Sequence, residues 1–245
     1  MRSLRAIWGS GGVADVVLSS FGLTARHLLY LSYTEHGMRY KNSMDRPSNI
    51  SNTILHLARS REVFRPRDLK EIVNPGPQLR ALVDQGTLRK VGHGLYTLAD
   101  REPTCSFSLA QAAARVPGGV VCLLSALEFH GFTTQIGYKV WLAIGDKRPI
   151  KVGDVPVRIV RMSGMSFTEG VEEHANGGQV IKVYSAAKTV ADCFKFRSSV
   201  GLDVALEALR EGWREKKFTV DDLMKHARFD RVEKLITPYI EAIIA

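Results

Sequence analysis

The chain has 245 residues, and 45% of them are hydrophobic, which is enough for one large domain or two small ones with their own cores. Its formal net charge of +9 favours a polyanionic partner, nucleic acid first. Three widely separated cysteines without a CxxC pair argue against a disulfide framework or a metal site, and favour small buried residues in a reducing cytoplasm. No run approaches the ~18 consecutive apolar residues of a membrane span, so we expect a soluble cytoplasmic protein.

Residues 1–43 differ from the rest of the chain, because "GSGG" interrupts them and no helical or strand period persists. A helical pattern begins abruptly after Met44. One hypothesis is that translation starts at Met44, and the alternative is a poorly ordered extension. The glycines do not predict a phosphate-binding loop, since no Lys-Ser/Thr pair follows them.

Three short helices are predicted between residues 48 and 86, because apolar residues recur there at helical spacing. Ser48 or Asn49 is placed to cap the first helix. The second covers "RPRDLKEI", and the third begins at Pro77 and ends at Gly86, after the break "VNPGP". The residues that define the three apolar faces are Ile50, Ile54, Leu57 and Ala58, then Leu69, Ile72 and Val73, then Leu79, Leu82 and Val83.

The stretch "RKVGHGLYTL", residues 89–98, predicts a β-hairpin. Two runs with strand character flank a Gly-His-Gly loop, and glycine accepts the positive φ that such a loop needs. Tyr96 and Leu98 share one face and are expected to pack inward. Two cations and a histidine are left near the tip.

Three helices followed by a basic hairpin make a winged helix-turn-helix, and residues 44–100 carry nine Lys and Arg against six Asp and Glu. The third helix turns its apolar stripe inward, so Gln78 and Arg80 can read base edges in the major groove. The hairpin then serves as a wing against the neighbouring backbone or minor groove. Arg65 and Arg67 are placed for phosphate contacts, with a solvated helix cap as the alternative. The predicted DNA-binding residues are Arg65, Arg67, Gln78, Arg80, Arg89, Lys90 and His93.

Residues 101–245 predict a second, mixed α/β domain, which makes the fold class α+β with a winged helix-turn-helix over residues 44–100. Strands are predicted over "KVWLAIG", "VPVRIVRM" and "GGQVIKVYS". Helices are predicted over "SFSLAQAAARVPGG", "VVCLLSALEFHGF", a long run from "SAAKTV" that breaks near Gly201, "TVDDLMKHARF" with Thr219 as its cap, and "RVEKLITPYIEAII", which Pro238 kinks or restarts.

The second half contains one acidic cluster that could bind a metal or supply a general base, Glu169, Glu172, Glu173 and His174. A solvated loop is the favoured interpretation, because no second His or Cys cluster pairs with it. We therefore expect no metal, no cofactor and no enzymatic activity.

Three cations of the long helical run, Lys188, Lys195 and Arg197, are predicted to form a basic edge. Such an edge could contact DNA phosphates or an acidic partner, but an ordinary solvated face is the favoured interpretation.

Four segments in order resemble the AbiEi antitoxins of type IV toxin–antitoxin systems. They are "VGHGLYTL", "CLLSALEFHGFTTQI", "VWLAI" and "KTVADCFKFRSSVGLDVALEALRE", of which the last is the most specific. The resemblance runs from about residue 50 to residue 245 and leaves residues 1–43 uncovered.

This resemblance implies an N-terminal winged helix, a C-terminal antitoxin domain, and repression of the protein's own operon through inverted repeats. It also implies neutralisation of a companion toxin, AbiEii, which resembles nucleotidyltransferases, without a stable toxin–antitoxin complex. No catalytic residue carries over. Two other classes stay open: a metal-dependent nuclease that uses the acidic cluster, and a winged helix that docks a protein partner.

Overall fold

The computed structural model describes residues 30–32, 39–41, 47–102, 107–133, 137–145 and 152–244. Most of residues 1–43, where a poorly ordered extension is predicted, lies outside them, as does Cys105. Strands β1 (Tyr30–Ser32) and β2 (Arg39–Lys41) pair antiparallel. From Pro47 onwards, the described residues form helices and sheets, which confirms the α+β class.

Residues 47–98 form what we call the N-terminal unit. It consists of α1 (Pro47–Ser60), α2 (Gly76–Asp84) and an antiparallel hairpin of β3 (Leu88–Gly92) and β4 (Leu95–Leu98). The elements share one apolar core because each presents a single apolar face. Its buried members are Ile54, Ala58, Phe64, Leu69, Leu79, Leu82 and Leu88.

The predicted second helix is wrong, because the segment contains only a 3₁₀ helix, Pro66–Asp68. The Asp68 carboxylate accepts a hydrogen bond from the backbone N–H of Arg65 over 2.8 Å and closes this short turn. The turn ends there because Leu69 leaves the helical region, with φ −88° and ψ 62°. Val73, predicted to face the core, is accordingly 99% exposed.

The predicted cap of the first helix is also wrong. α1 begins at Pro47, before Ser48 and Asn49. Proline suits the first turn of a helix, where its missing N–H leaves no internal hydrogen bond unmade.

Residues 107–244, the C-terminal body, are built on a sheet of five strands in the described part of the chain. The strands are β5 (Val120–Val121), β6 (Val140–Ile144), β7 (Val157–Arg161), β8 (Val171–Asn176) and β9 (Gln179–Tyr184), in the order β7-β6-β5-β9-β8. The pairs β6–β7 and β5–β9 are parallel, and β5–β6 and β8–β9 are antiparallel. All residues of β6 are buried, because apolar clusters cover both faces of the sheet.

The helix α3 (Phe107–Arg115) packs on one face of this sheet, whereas α4 (Leu123–His130) and α6 (Ala186–Lys195) pack mainly on the other. The break predicted near Gly201 is confirmed, and Pro238 lies inside one continuous helix. The remaining helices are α5 (Met165–Thr168), α7 (Arg197–Val200), α8 (Leu202–Arg214), α9 (Val220–Asp230) and α10 (Glu233–Ile244). None of the described helices is long and apolar enough to cross a membrane.

Several predictions for this body are confirmed, including three strands and the cap of α9, where Asp222 N–H donates to Thr219 Oγ1 over 3.1 Å. The buried Cys122 and Cys193 are free thiols. Two predictions are wrong. "VV" at 120–121 pairs with β6 and β9 instead of opening α4, and 171–176 is the strand β8 rather than a loop.

The two parts meet closely where the turn between β8 and β9 docks on the end of α1. The N–H of Glu62 donates to the carbonyl of Gly177 over 2.9 Å. Both turn glycines have positive φ, 51° and 76°, as two-residue hairpin turns require. A Cβ on Gly178 would overlap the carbonyl oxygen of Ser60, so only glycine fits at this joint.

Candidate nucleic-acid interface

The outer face of α2 carries two of the predicted DNA-reading residues. Leu79 and Leu82 are buried, which turns Arg80 outward, and Arg80 is exposed as the periodicity predicts. Gln78 behaves differently: it is half-buried, and its Oε1 is enclosed without a hydrogen-bond partner among the described residues. The amide oxygen is therefore shielded from solvent, contrary to the outward position that the sequence predicts.

The hairpin next to α2 exposes three more of the predicted DNA-binding residues. Arg89, Lys90 and His93 are all exposed, while Leu88 and Leu95 anchor the two strands in the core. The strand register shifts after Lys90, and Gly94 adopts a φ of 69° in the turn. Glycine is favoured at that position because it adopts this left-handed conformation without strain.

The two arginines beside Pro66 have different environments. Arg67 is exposed. Arg65 is held inside the protein: its Nη2 pairs with Asp68 over 2.9 Å, and its Nη1 donates to the carbonyl of Ala114 over 2.6 Å. Burial alone would raise the pKa of Asp68, but hydrogen bonds and the charge of Arg65 outweigh it and lower that pKa. Arg65 thus links the N-terminal unit to α3 of the C-terminal body.

The predicted basic edge of the C-terminal body is not a continuous surface, which corrects that prediction. Lys188 is fully buried and pairs with Asp192 and with Asp230, the latter over 3.0 Å. Lys195 is partly exposed, but its ammonium contacts Asp230 over 3.0 Å and also Ser166. The third cation, Arg197, is exposed and donates to the carbonyl of Phe194.

The pKa values of the two aspartates in this buried ionic cluster are shifted in opposite directions. Burial raises the pKa of Asp192 well above its ordinary value, and the Asp230 carboxylate adds to that rise against the effect of Lys188. For Asp230, burial acts in the same direction, but the Lys188 and Lys195 charges and hydrogen bonds from Asp192 and Ser166 lower the pKa overall. The cluster joins α5, α6 and α9. Its lysines are already paired with its aspartates, so they offer little charge to a ligand.

The acidic cluster lies on β8, with Glu169 just before the strand. Glu172 and Glu173 are exposed, and His174 Nε2 lies 3.1 Å from Glu172. Glu173 pairs instead with Lys182 across the sheet. Within the described ranges, no three His, Cys, Asp or Glu side chains are grouped to hold a metal ion.

Two residues that contact the hairpin were missed by the sequence analysis. Gln111 and Arg115 of α3 each donate a hydrogen bond to a hairpin carbonyl. Their four-residue spacing places them on one helical face, which was the available signal. No local pattern indicates which element that face contacts.

Comparison with known families gives a match on the N-terminal unit. Residues 52–99 match the family model described as "Transcriptional regulator, AbiEi antitoxin". The match spans most of α1, then α2 and both strands of the hairpin, and it confirms the resemblance to AbiEi antitoxins for these residues. The segments of the resemblance from Cys122 onwards lie outside it. A search of curated proteins found no match. The finding supports a role as a transcriptional regulator or antitoxin.

Proposed function

Taking the similarity of residues 52–99 to AbiEi antitoxin regulators as the premise, we propose that this protein is an antitoxin that binds operator DNA and represses its own operon. One observation carries the proposal. The matched segment exposes Arg80 on α2 and Arg89, Lys90 and His93 on the adjoining hairpin.

In this proposal, the N-terminal unit acts as a winged helix-turn-helix whose middle helix is shortened to a 3₁₀ turn. The recognition helix is α2. Its exposed Gly76 and Pro77 present no long side chain, so the start of the helix can approach the major groove closely. Arg80 then reaches base edges, where a guanidinium pairs with guanine.

The remaining exposed residues of the predicted set are proposed to contact the DNA backbone. Arg89, Lys90 and His93 form the wing, and Arg67 lies at the 3₁₀ turn. Such contacts position the protein without reading sequence. Arg65 is left out of this set, because its guanidinium already bonds Asp68 and Ala114. Gln78 would need to rotate its shielded amide to read a base.

We further propose that the C-terminal body, 107–244, provides the antitoxin activity of a type IV system. The toxin would be AbiEii-like and opposed without a stable complex, as the resemblance of residues 101–245 implies. Co-expression of the full chain with the toxin encoded beside it tests this, with growth rescue as the expected result. Stable co-purification of the two proteins would contradict the type IV assignment.

The test of DNA binding is fluorescence anisotropy of the full chain with its own upstream DNA and with a scrambled duplex of equal length. We expect a preference for the native duplex that survives physiological salt. Lys90→Ala should weaken binding to both duplexes and reduce the salt slope by about 1. Arg210→Ala, which removes an exposed cation from α8, is the matched control. Equal binding that salt abolishes would contradict the proposal and favour the protein-docking alternative.

The nuclease alternative has its own test. Glu172→Gln combined with Glu173→Gln removes two exposed carboxylates from β8. We expect toxin rescue and DNA binding to be unchanged. Loss of rescue with intact DNA binding would favour chemistry at this cluster.

A further inference from the structure

The helix α3 lies between the N-terminal unit and the sheet of the C-terminal body. Ala110 and Ala114, one turn apart, are buried in a cluster with Val63 and Leu95 of the N-terminal unit. Ala112, on the opposite side of the helix, packs in the core beneath the sheet. Alanine allows close approach on both sides, so α3 belongs to both parts of the fold.

A polar stripe on α3 continues this contact onto the hairpin. Gln111 Nε2 donates to the carbonyl of Val91 over 3.1 Å, and Arg115 Nη1 donates to that of His93 over 3.3 Å. The spacing fits, because four helical residues rise about 6 Å and two strand residues extend about 6.6 Å. Two side chains of one helix face therefore cap two alternate carbonyls along β3 and into the turn.

Arg115 is itself held in place by the C-terminal body. Its Nε donates to the carbonyl of Val152 over 3.0 Å, in the segment that precedes β7. The guanidinium thus joins that segment to the tip of the hairpin. Val155 of the same region is buried in the cluster that contains Leu95 of β4, so polar and apolar contacts anchor the hairpin together.

We propose that Gln111 and Arg115 are positioning residues for DNA binding, which hold the wing in the orientation that binds DNA. The inference rests on the proposed function. A two-stranded hairpin is marginally stable by itself, and ordering a mobile wing on DNA would cost conformational entropy. The C-terminal body therefore sets the DNA affinity of the N-terminal unit without contacting a base.

The first measurement needs no DNA. Hydrogen–deuterium exchange of the full chain should show faster exchange in residues 88–98 of Arg115→Ala, and a smaller increase in Gln111→Ala. The control Arg210→Ala removes the same charge from α8 and should leave these amides unchanged. Unchanged exchange in both α3 variants would overturn the anchoring role.

The second measurement is operator binding by anisotropy. We expect Arg115→Ala to lose about tenfold in affinity, the loss that follows from about one net hydrogen bond, with the salt slope unchanged. In a background that already carries Arg89→Ala, Lys90→Ala and His93→Ala, and so lacks all three proposed wing contacts, the same substitution should have no further effect. A general structural defect would weaken binding in both backgrounds, and a direct phosphate contact would lower the salt slope by about 1.

These outcomes separate the two proposals. If the wild-type chain shows no operator preference, the proposed function fails, whatever the exchange data show. If the wild type binds its operator but the loss from Arg115→Ala equals that from Arg210→Ala, or persists without the wing cations, the positioning role is overturned. Faster exchange without any loss of affinity would overturn it too.

Discussion

The N-terminal unit and the C-terminal body place their charges differently. In the N-terminal unit, Arg80, Arg89 and Lys90 are exposed around one helix and one hairpin, and the core beneath them is apolar. In the C-terminal body, Lys188 and Asp192 lie on a helix whose residues 186–194 are all buried. Charged side chains are therefore available to the proposed DNA ligand in the N-terminal unit, whereas those of the buried cluster pair with one another inside the C-terminal body.

The difference has an energetic basis. An exposed arginine remains solvated, so a substitution there costs the fold little. A buried ammonium without its carboxylates would pay a large desolvation cost. We therefore expect substitutions in the two regions to have separable effects, with DNA affinity changing in one and the free energy of unfolding in the other.

The largest expected effect is on the buried cluster. Asp230→Asn removes the carboxylate that Lys188 and Lys195 share, and should lower the free energy of unfolding by about 3–5 kcal/mol. Urea denaturation measures it. Asp221→Asn, at an exposed position of the same helix, is the control and should change stability by less than about 1 kcal/mol. A small effect from both would mean that the cluster contributes little.

Low pH should also destabilise the fold through Asp230. The folded pKa of Asp230 lies below its ordinary 3.8, so the unfolded chain takes up the proton first as pH falls. The stability that this carboxylate provides is present above pH 3.8 and is lost as pH falls through the lowered value. The urea midpoint should therefore fall less between pH 5 and pH 2.5 in Asp230→Asn than in the wild type.

The contribution of Asp192 to stability should change with pH in the opposite direction. Its folded pKa is raised, so its contribution is complete below pH 3.8 and declines as pH rises towards the raised value. In the wild type, the free energy of unfolding should therefore decline through this group as pH rises above 3.8, and Asp192→Asn should abolish that decline. An identical slope in the wild type and both variants would contradict the opposed titrations.

The N-terminal unit should show the converse pattern. Arg80→Ala should cost about 1–3 kcal/mol of operator affinity and relax sequence preference at one position. Its free energy of unfolding should stay within about 0.5 kcal/mol of the wild type, as is usual for exposed sites. Anisotropy against a set of single-base operator variants measures the first, and urea denaturation the second. Equal loss on every sequence would move Arg80 to the phosphate-contacting group.

The smallest expected effect is a difference in stability between substitutions of two buried threonines. Thr97 in the hairpin is fully buried and its Oγ1 has no hydrogen-bond partner among the described residues, whereas Thr189 in α6 donates to the carbonyl of Tyr184 over 3.2 Å. Thr97→Val should be neutral or stabilise by up to about 1 kcal/mol, and Thr189→Val should destabilise by about 1 kcal/mol. Thermal denaturation of both variants checks the order.

Local patterns predicted much of the N-terminal unit. The Gly-His-Gly loop and the apolar spacing of α2 are short-range signals, and both elements form where they are expected. The second helix was predicted from helical periodicity over residues 65–72, but only Pro66–Asp68 form a 3₁₀ turn, which the Asp68 carboxylate closes. The wing, the recognition helix and their DNA contacts stay predictions.

Long-range contacts explain what the sequence did not reveal. Lys188 and Asp192 have the four-residue spacing of an ordinary surface ion pair, and only their meeting with Asp230 of α9 makes the cluster internal. The strand β8 resembles a loop because it is polar, as edge strands often are. The spacing of Gln111 and Arg115 indicates a shared helical face, but nothing local indicates the partners of Arg115, which lie on the hairpin and before β7.

The capped edge of the hairpin has a consequence for assembly. The outer carbonyls of Val91 and His93 accept bonds from α3, and the opposite strand pairs at Tyr96 with Phe64. A hairpin whose two edges each carry such contacts offers a poor template for strand addition by another copy. A dimer that reads inverted repeats would therefore have to join its subunits through another surface, and the wings would remain separate, one at each half-site.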